Sequence, residues 1–201
     1  MADLTVSGNV DTMLSAADNA GIRDAIFPGT LKTLYIPAGA MVPRTTNGAE
    51  SATEEYATND IMLDVFLFDG TIEEGVQFSY MMPDEWDLGA IKYKIIWDAA
   101  TGASAADTVS WGVRAGAISN DDPIDAVLGT QIVVNDIVIA VGDNHTAPAS
   151  AALTVGGTPA LGDLCIFQIV RNVAGTDDMV EDAKLVGMAI QYTETIPGVL
   201  W

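Results

Sequence analysis

The apolar period of this chain changes at Pro28-Gly29, and that change limits what it can fold into. Ahead of it, apolar residues fall at Val10, Met13, Leu14, Ala17, Ile22, Ala25 and Ile26, mostly the spacing of one helix face. Behind it the period is two. Val76-Gln77-Phe78-Ser79-Tyr80-Met81, Ile91-Lys92-Tyr93-Lys94-Ile95 and Val109-Ser110-Trp111-Gly112-Val113-Arg114 each separate an apolar side from a polar one. That is the pattern of antiparallel strands with one face in a core and the other in water. The same reading gives strands at Leu31–Ile36, Ile61–Phe68, Gly75–Met82, Ala90–Trp97, Thr108–Ala117, Gln131–Val141, Ala151–Val155, Leu164–Arg171 and Lys184–Thr193.

Between these segments lie Thr46-Asn47-Gly48, Phe68-Asp69-Gly70, Ala100-Thr101-Gly102, Ser119-Asn120-Asp121-Asp122-Pro123 and Gly156-Gly157-Thr158-Pro159. Gly and Asn supply positive φ and Pro a fixed φ, so each cluster is turn chemistry. Many strands without an intervening long helix predict an all-β chain: an antiparallel, jelly-roll-like β-sandwich over residues 31–195. Residues 1–30 are expected to form an arm of one or two short helices. Ser15 and Asp18 suit a helix start, Gly21 weakens the middle, and Pro28-Gly29 ends it. Residues 196–201 form an apolar tail.

Charge excludes several partners. The 201 residues carry 28 acidic and 8 basic side chains, a formal net charge of -20. Nucleic-acid affinity comes largely from Lys and Arg on phosphates, so neither nucleic acid nor an anionic membrane surface is an expected partner. No apolar run approaches the ~18 residues of a membrane span. Met1-Ala2-Asp3-Leu4 lacks the basic start of a signal peptide, so synthesis without a cleaved leader is expected. Cys165, the only cysteine, rules out an intrachain disulfide and reads as a buried core residue.

Catalytic constellations are missing. His145 is the only histidine and reads as an exposed loop residue; there is no HExxH, CxxC, nucleophile elbow or phosphate-binding Gly-rich loop. The doublets Glu54-Glu55, Glu73-Glu74 and Asp84-Glu85 supply the carboxylates a glycosidase needs, but nothing in the sequence fixes two of them at a working separation. Asp121-Asp122, Asp177-Asp178 and Glu181-Asp182 offer oxygen ligands of the kind Ca²⁺ takes, without an EF-hand pattern. A solvated acidic surface accounts for them equally. The expectation is a protein with no enzyme activity and no cofactor. Trp97, Trp111 and Tyr93 fall within strands, where aromatics fill a core. Trp86 is the candidate for exposure, and with Tyr35 and Tyr80 the remaining option for a sugar-stacking platform. The arm and the tail are left over once the sandwich is assembled. Leu14, Ile22, Ile26, Phe27, Val199, Leu200 and Trp201 are therefore the expected partner interface.

Val10 to Ile26 resembles a short helical segment found near the start of tailed-bacteriophage virion proteins. Ile36-Pro37-Ala38-Gly39-Ala40-Met41, Thr45 to Ala49, Phe68-Asp69, Met82-Pro83-x-x-Trp86, the strand ending at Trp97, and Arg171 ahead of an acidic loop and Lys184 to Tyr192 resemble a diffuse group of phage structural β-proteins. The resemblance implies a jelly-roll component of the virion surface, made in the host cytoplasm. Its main form would be a capsid cement or decoration protein, a homotrimer that bridges major capsid subunits. The alternative it implies is a tail-fibre or receptor-binding component that attaches to a host glycan or protein.

Overall fold

The computed structural model describes residues 29–194. They form two antiparallel sheets around one core. The strands are β1 (Thr30–Pro37), β2 (Val42–Pro43), β3 (Glu50–Tyr56), β4 (Ile61–Phe68), β5 (Gly75–Met81), β6 (Lys92–Ala99), β7 (Thr108–Ile118), β8 (Ile132–Ile137), β9 (His145–Thr146), β10 (Leu164–Arg171) and β11 (Ala183–Glu194). One sheet has the order β3-β4-β11-β6-β9, with β1 also paired to β11; the other runs β2-β5-β10-β7-β8. From β4 onward the chain crosses repeatedly between the sheets, which gives the jelly-roll-like character. The all-β sandwich expected from the period of two is present. The helical arm and the apolar tail, with Leu14, Ile22, Ile26, Phe27, Val199, Leu200 and Trp201, lie outside the described residues.

β11 is the spine of the first sheet. One of its sides pairs with β6; the other pairs with β4 over Ala183–Leu185 and with β1 over Gly187–Glu194. The register shifts between Leu185 and Gly187, where β4 gives way to β1. A bulge changes which side of a strand faces inward. Buried positions accordingly pass from Ala183 and Leu185 to Met188, Ile190 and Tyr192. Gly187 is required at this crossing, because a Cβ there would come within 2.5 Å of the Tyr35 hydroxyl and 2.7 Å of the Ile36 carbonyl oxygen.

The inward faces carry the large apolar side chains. Trp111 packs edge-on against Phe68 at 5.2 Å and lies 6.1 Å from Trp97, while Phe78 and Phe167 stack at 4.9 Å across β5 and β10. Each such side chain contributes about 1.5–3 kcal/mol by burial. Arg171 is also fully buried. It pairs with Asp177 and donates to the carbonyls of Phe68, Glu181 and Met179, closing the 172–182 loop onto the end of the sandwich.

Some expectations need correction. Glu50–Tyr56 forms β3, which the alternation did not reveal. Ser51, Thr53 and Glu55 are polar on one face, Glu54 interrupts the other, and β3 is an edge strand with little buried on either side. Ala151–Val155 is not a strand; Leu153 makes a single bridge to Ile91. The expected Gln131–Val141 strand is shorter, ending at Ile137.

Candidate functional site

The outward face of the second sheet carries a groove of about 360 Å³. The register places Gln77 and Arg114 in its lining, with the buried Gln168 between and beneath them. Gln168 on β10 lies opposite Gln77 on β5 and Arg114 on β7, so the three polar residues form one row across the sheet. Their neighbours Phe78, Phe167, Val113 and Ala115 point into the core, as the period of two requires. The Arg114 Nε–H donates to Gln168 Oε1 at 2.6 Å. Gln168 is itself only 4% exposed, so the guanidinium is braced from below by a side chain with little freedom. Its terminal nitrogens keep their donors for other partners.

One wall of the groove is the segment 124–128. The preceding turn is closed by Asp122, whose Oδ2 accepts from the Ser119 N–H at 3.0 Å, with Asp121 at φ 70°. The Gly129 N–H then donates to the Ala115 carbonyl at 2.8 Å, fastening the segment over β7. Gly116 leaves room for this. A Cβ there would stand 3.1 Å from Leu128 Cδ2 and 3.3 Å from the Val127 carbonyl oxygen. Ile118, Ile124, Val127, Leu128 and Ile166 give the groove aliphatic surface, and Asp125 is its only carboxylate. The result is a cleft with guanidinium and amide donors, amide and carboxylate acceptors, and aliphatic faces between them. Glycosidic cleavage needs two carboxylates flanking one bond, and the groove lining offers one.

The residues singled out by sequence fall elsewhere. His145 is buried rather than exposed. It sits on β9, packs against Trp97 with ring centroids 4.6 Å apart and planes tilted by 32°, and its Nε2 accepts from the Ile139 N–H at 2.9 Å. That bond assigns the ring proton to Nδ1, which has no partner among the described residues. The turn at 138–144 is held beside His145 by the Ile139 N–H on the ring and by the Gly142 N–H, which donates to Asp98 Oδ1 at 2.8 Å. Trp86 is buried too, and Trp97, Trp111 and Tyr93 are core residues as expected. No aromatic side chain lines the groove, so a stacking platform is not its mode of binding. Cys165 is buried, and burial pushes its thiol up to about 11, so it has little thiolate character at neutral pH.

Several members of the acidic doublets have structural partners. Glu54 lies on β3 and pairs with Lys184 at 3.2 Å; Glu74 Oε2 accepts from the Asp69 N–H at 2.9 Å. The Asp69 carboxyl is held below its ordinary range, first by the Thr71 hydroxyl that donates to it and then by the Thr71 and Ile72 amides. Asp177 serves Arg171 and the Ser110 N–H, and Asp178 accepts from the Thr108 N–H. Among the described residues no three His, Cys, Asp or Glu side chains are grouped as a metal site. Gln77, Arg114 and Gln168 were not singled out from sequence. The available signal was Gly112-Val113-Arg114-Ala115-Gly116: on one face of the strand, a lone cation between two glycines.

No protein-family model and no curated protein matches the chain in sequence. Solved structures similar in fold include a family 11 carbohydrate-binding module from Clostridium thermocellum in complex with a β-1,3-1,4-mixed-linked tetrasaccharide (11% identity, 86% of this chain and 98% of that chain, TM-score 0.41). Another is the N-terminal part of Clostridium thermocellum endo-1,4-β-D-xylanase 10B (12% identity, 81% of this chain and 28% of that chain, TM-score 0.46). A third is a structure of infectious bursal disease virus (10% identity, 86% of this chain and 34% of that chain, TM-score 0.35). This chain spans 18% of a cycloisomaltooligosaccharide glucanotransferase from Paenibacillus and 28% of the xylanase chain. At these identities and TM-scores the likenesses set no ligand, partner or activity for this chain.

Proposed function

We propose that this chain is a non-catalytic attachment protein that holds a surface glycan in the groove over β5, β10 and β7. The observation that carries the reading is Arg114, braced by the buried Gln168 at the floor of a cleft that mixes hydrogen-bonding groups with aliphatic surface. A sugar ring offers vicinal hydroxyls to such a guanidinium and apolar C–H faces to the isoleucines. Without ring stacking, single-site affinity is weak. Several copies on one particle raise it by about 10²–10⁴ through avidity, which suits the receptor-binding role that the phage resemblance implied as its alternative. The test is a glycan array followed by calorimetry with the best ligand. Arg114→Ala should lower affinity at least tenfold while circular dichroism stays unchanged. An array without a saturable ligand, or a variant that binds as well as the parent, would overturn the reading.

A second reading, capsid cement, keeps one observation in its favour. Ile137, Ile139 and Val141, on and just beyond the edge strand β8, are exposed and would be better covered by a neighbouring subunit. A homotrimer seated on the major capsid protein would do this. Hundreds of copies per virion by gel densitometry would support cement, and a few dozen would support the attachment role.

A further inference from the structure

We propose a second ligand site, on the outward face of the other sheet, where Lys92 and Lys94 bind an oxyanion group carried on a small hydroxylated ligand. The chain has 8 basic residues against 28 acidic ones, so the placing of each cation is informative. Among the described residues Lys32 pairs with Glu194, Lys184 with Glu54 and Arg171 with Asp177. Arg44 donates to the carbonyls of Asn47 and Glu73, and Arg114 to Gln168. The ammonium groups of Lys92 and Lys94 alone have no hydrogen-bond or ion-pair partner among those residues.

They stand on the same side of β6, with Tyr93 between them turned into the core. Two residues along a strand is a separation of roughly 7 Å, close enough for both ammonium groups to reach one anion. The register places no carboxylate beside them: Lys92 faces Gln191 and then Thr33, and Lys94 faces Ala189 and then Tyr35. The two lysines, Thr33, Gln191, Ala149 and Ala189 line a cavity of about 210 Å³. Alanines leave space in it, and the Gln191 amide and Thr33 hydroxyl can meet hydroxyls or further anionic oxygens. Two like charges side by side, unpaired among the described residues, are balanced best by an anion from outside. The site lies on a different sheet from the Arg114 groove and does not depend on it.

The experiment titrates the full ¹⁵N-labelled chain, at constant ionic strength, with galacturonate, galactose 6-sulfate, galactose 6-phosphate and galactose. The expected result is saturable movement of the Lys92, Lys94 and Gln191 amides with at least one charged sugar and none with galactose. Comparing the charged sugars identifies which oxyanion is preferred. The double substitution Lys92→Gln and Lys94→Gln should weaken binding at least tenfold, and Lys92→Arg with Lys94→Arg should retain it. Equal responses to galactose and the charged sugars, no saturable response, or undiminished binding by the glutamine variant would overturn the proposal. The Gln77 and Arg114 amides report the groove separately, so failure here is distinguishable from failure there.

Discussion

The indole N–H of Trp97 donates to Asp136 Oδ2 at 2.8 Å, joining β6 of one sheet to β8 of the other through the core. Trp97 is fully buried and Asp136 half-buried, and this carboxylate is the partner that the indole donor has in the folded chain. Asp136→Ala should therefore destabilise the chain by about 1–3 kcal/mol, the cost of an unsatisfied buried donor. Asp136→Asn keeps an acceptor oxygen and should cost less. Chemical denaturation of the two variants measures the difference, and equal losses would mean that the bond contributes nothing.

Arg171 and Asp177 form the other tie that side-chain chemistry alone could not locate. Their side chains are 0% and 1% exposed and meet at 2.8 Å. Removing one member leaves a buried charge, a loss of about 3–5 kcal/mol. Asp177→Ala should show that loss. It should also speed hydrogen exchange across residues 172–182, because the loop is held by Arg171. If exchange there is unchanged, Arg171 does not hold the loop through Asp177.

The fold was legible where one face of a strand is apolar. Ile61–Phe68 and Leu164–Arg171 have the bounds that alternation gives, because both strands are paired on each side and must bury one face. β3 was not legible, since Glu50–Tyr56 is an acidic edge strand whose pairing with β4 rests on backbone bonds and the Thr53–Asp64 side-chain bond rather than on apolar burial. His145 misled for a related reason. Its neighbours Asp143 and Asn144 mark a turn, and only the tertiary structure brings Ile139 and Trp97 against the ring. The groove depends on cross-strand registry among Gln77, Gln168 and Arg114, residues 37 to 91 positions apart in pairs, which no local pattern encodes.

Alkaline conditions should destabilise the chain. Burial, with a smaller push from the Asp163 carboxylate, moves the Cys165 thiol from 9.0 up to about 11. The phenols of Tyr93 and Tyr56 are raised too, again chiefly by burial. The unfolded chain then releases these protons at lower pH than the folded one. Stability is complete below about pH 9 and falls as pH rises toward 11, by roughly 2–3 kcal/mol for the thiol alone. Denaturation at pH 8, 9, 10 and 11 should show the decline, and Cys165→Ala should make it shallower whatever its effect at neutral pH. An identical slope in that variant would remove the thiol from the account.

Gly116 offers the most direct link between backbone and ligand. It lies on the floor of the groove beside Arg114, and the wall segment 124–128 packs against the space where a side chain would be. In Gly116→Ala the new Cβ would meet Leu128 Cδ2 at 3.1 Å and the Val127 carbonyl oxygen at 3.3 Å, contacts that a rotation of Leu128 and a shift of a few tenths of an ångström in the wall relieve, so binding should change little. In Gly116→Val the branched methyls also press on the Val127 carbonyl, 3.3 Å from the Cβ, and the wall must move. Overpacking of this kind costs about 1–3 kcal/mol of stability. The change in groove width should lower glycan affinity by more than the loss of stability accounts for, because the chain remains folded at the temperature of the binding measurement. Calorimetry on the two variants, each checked by its thermal midpoint, separates these effects. Equal affinity in the alanine and valine variants would show that the wall does not shape the site.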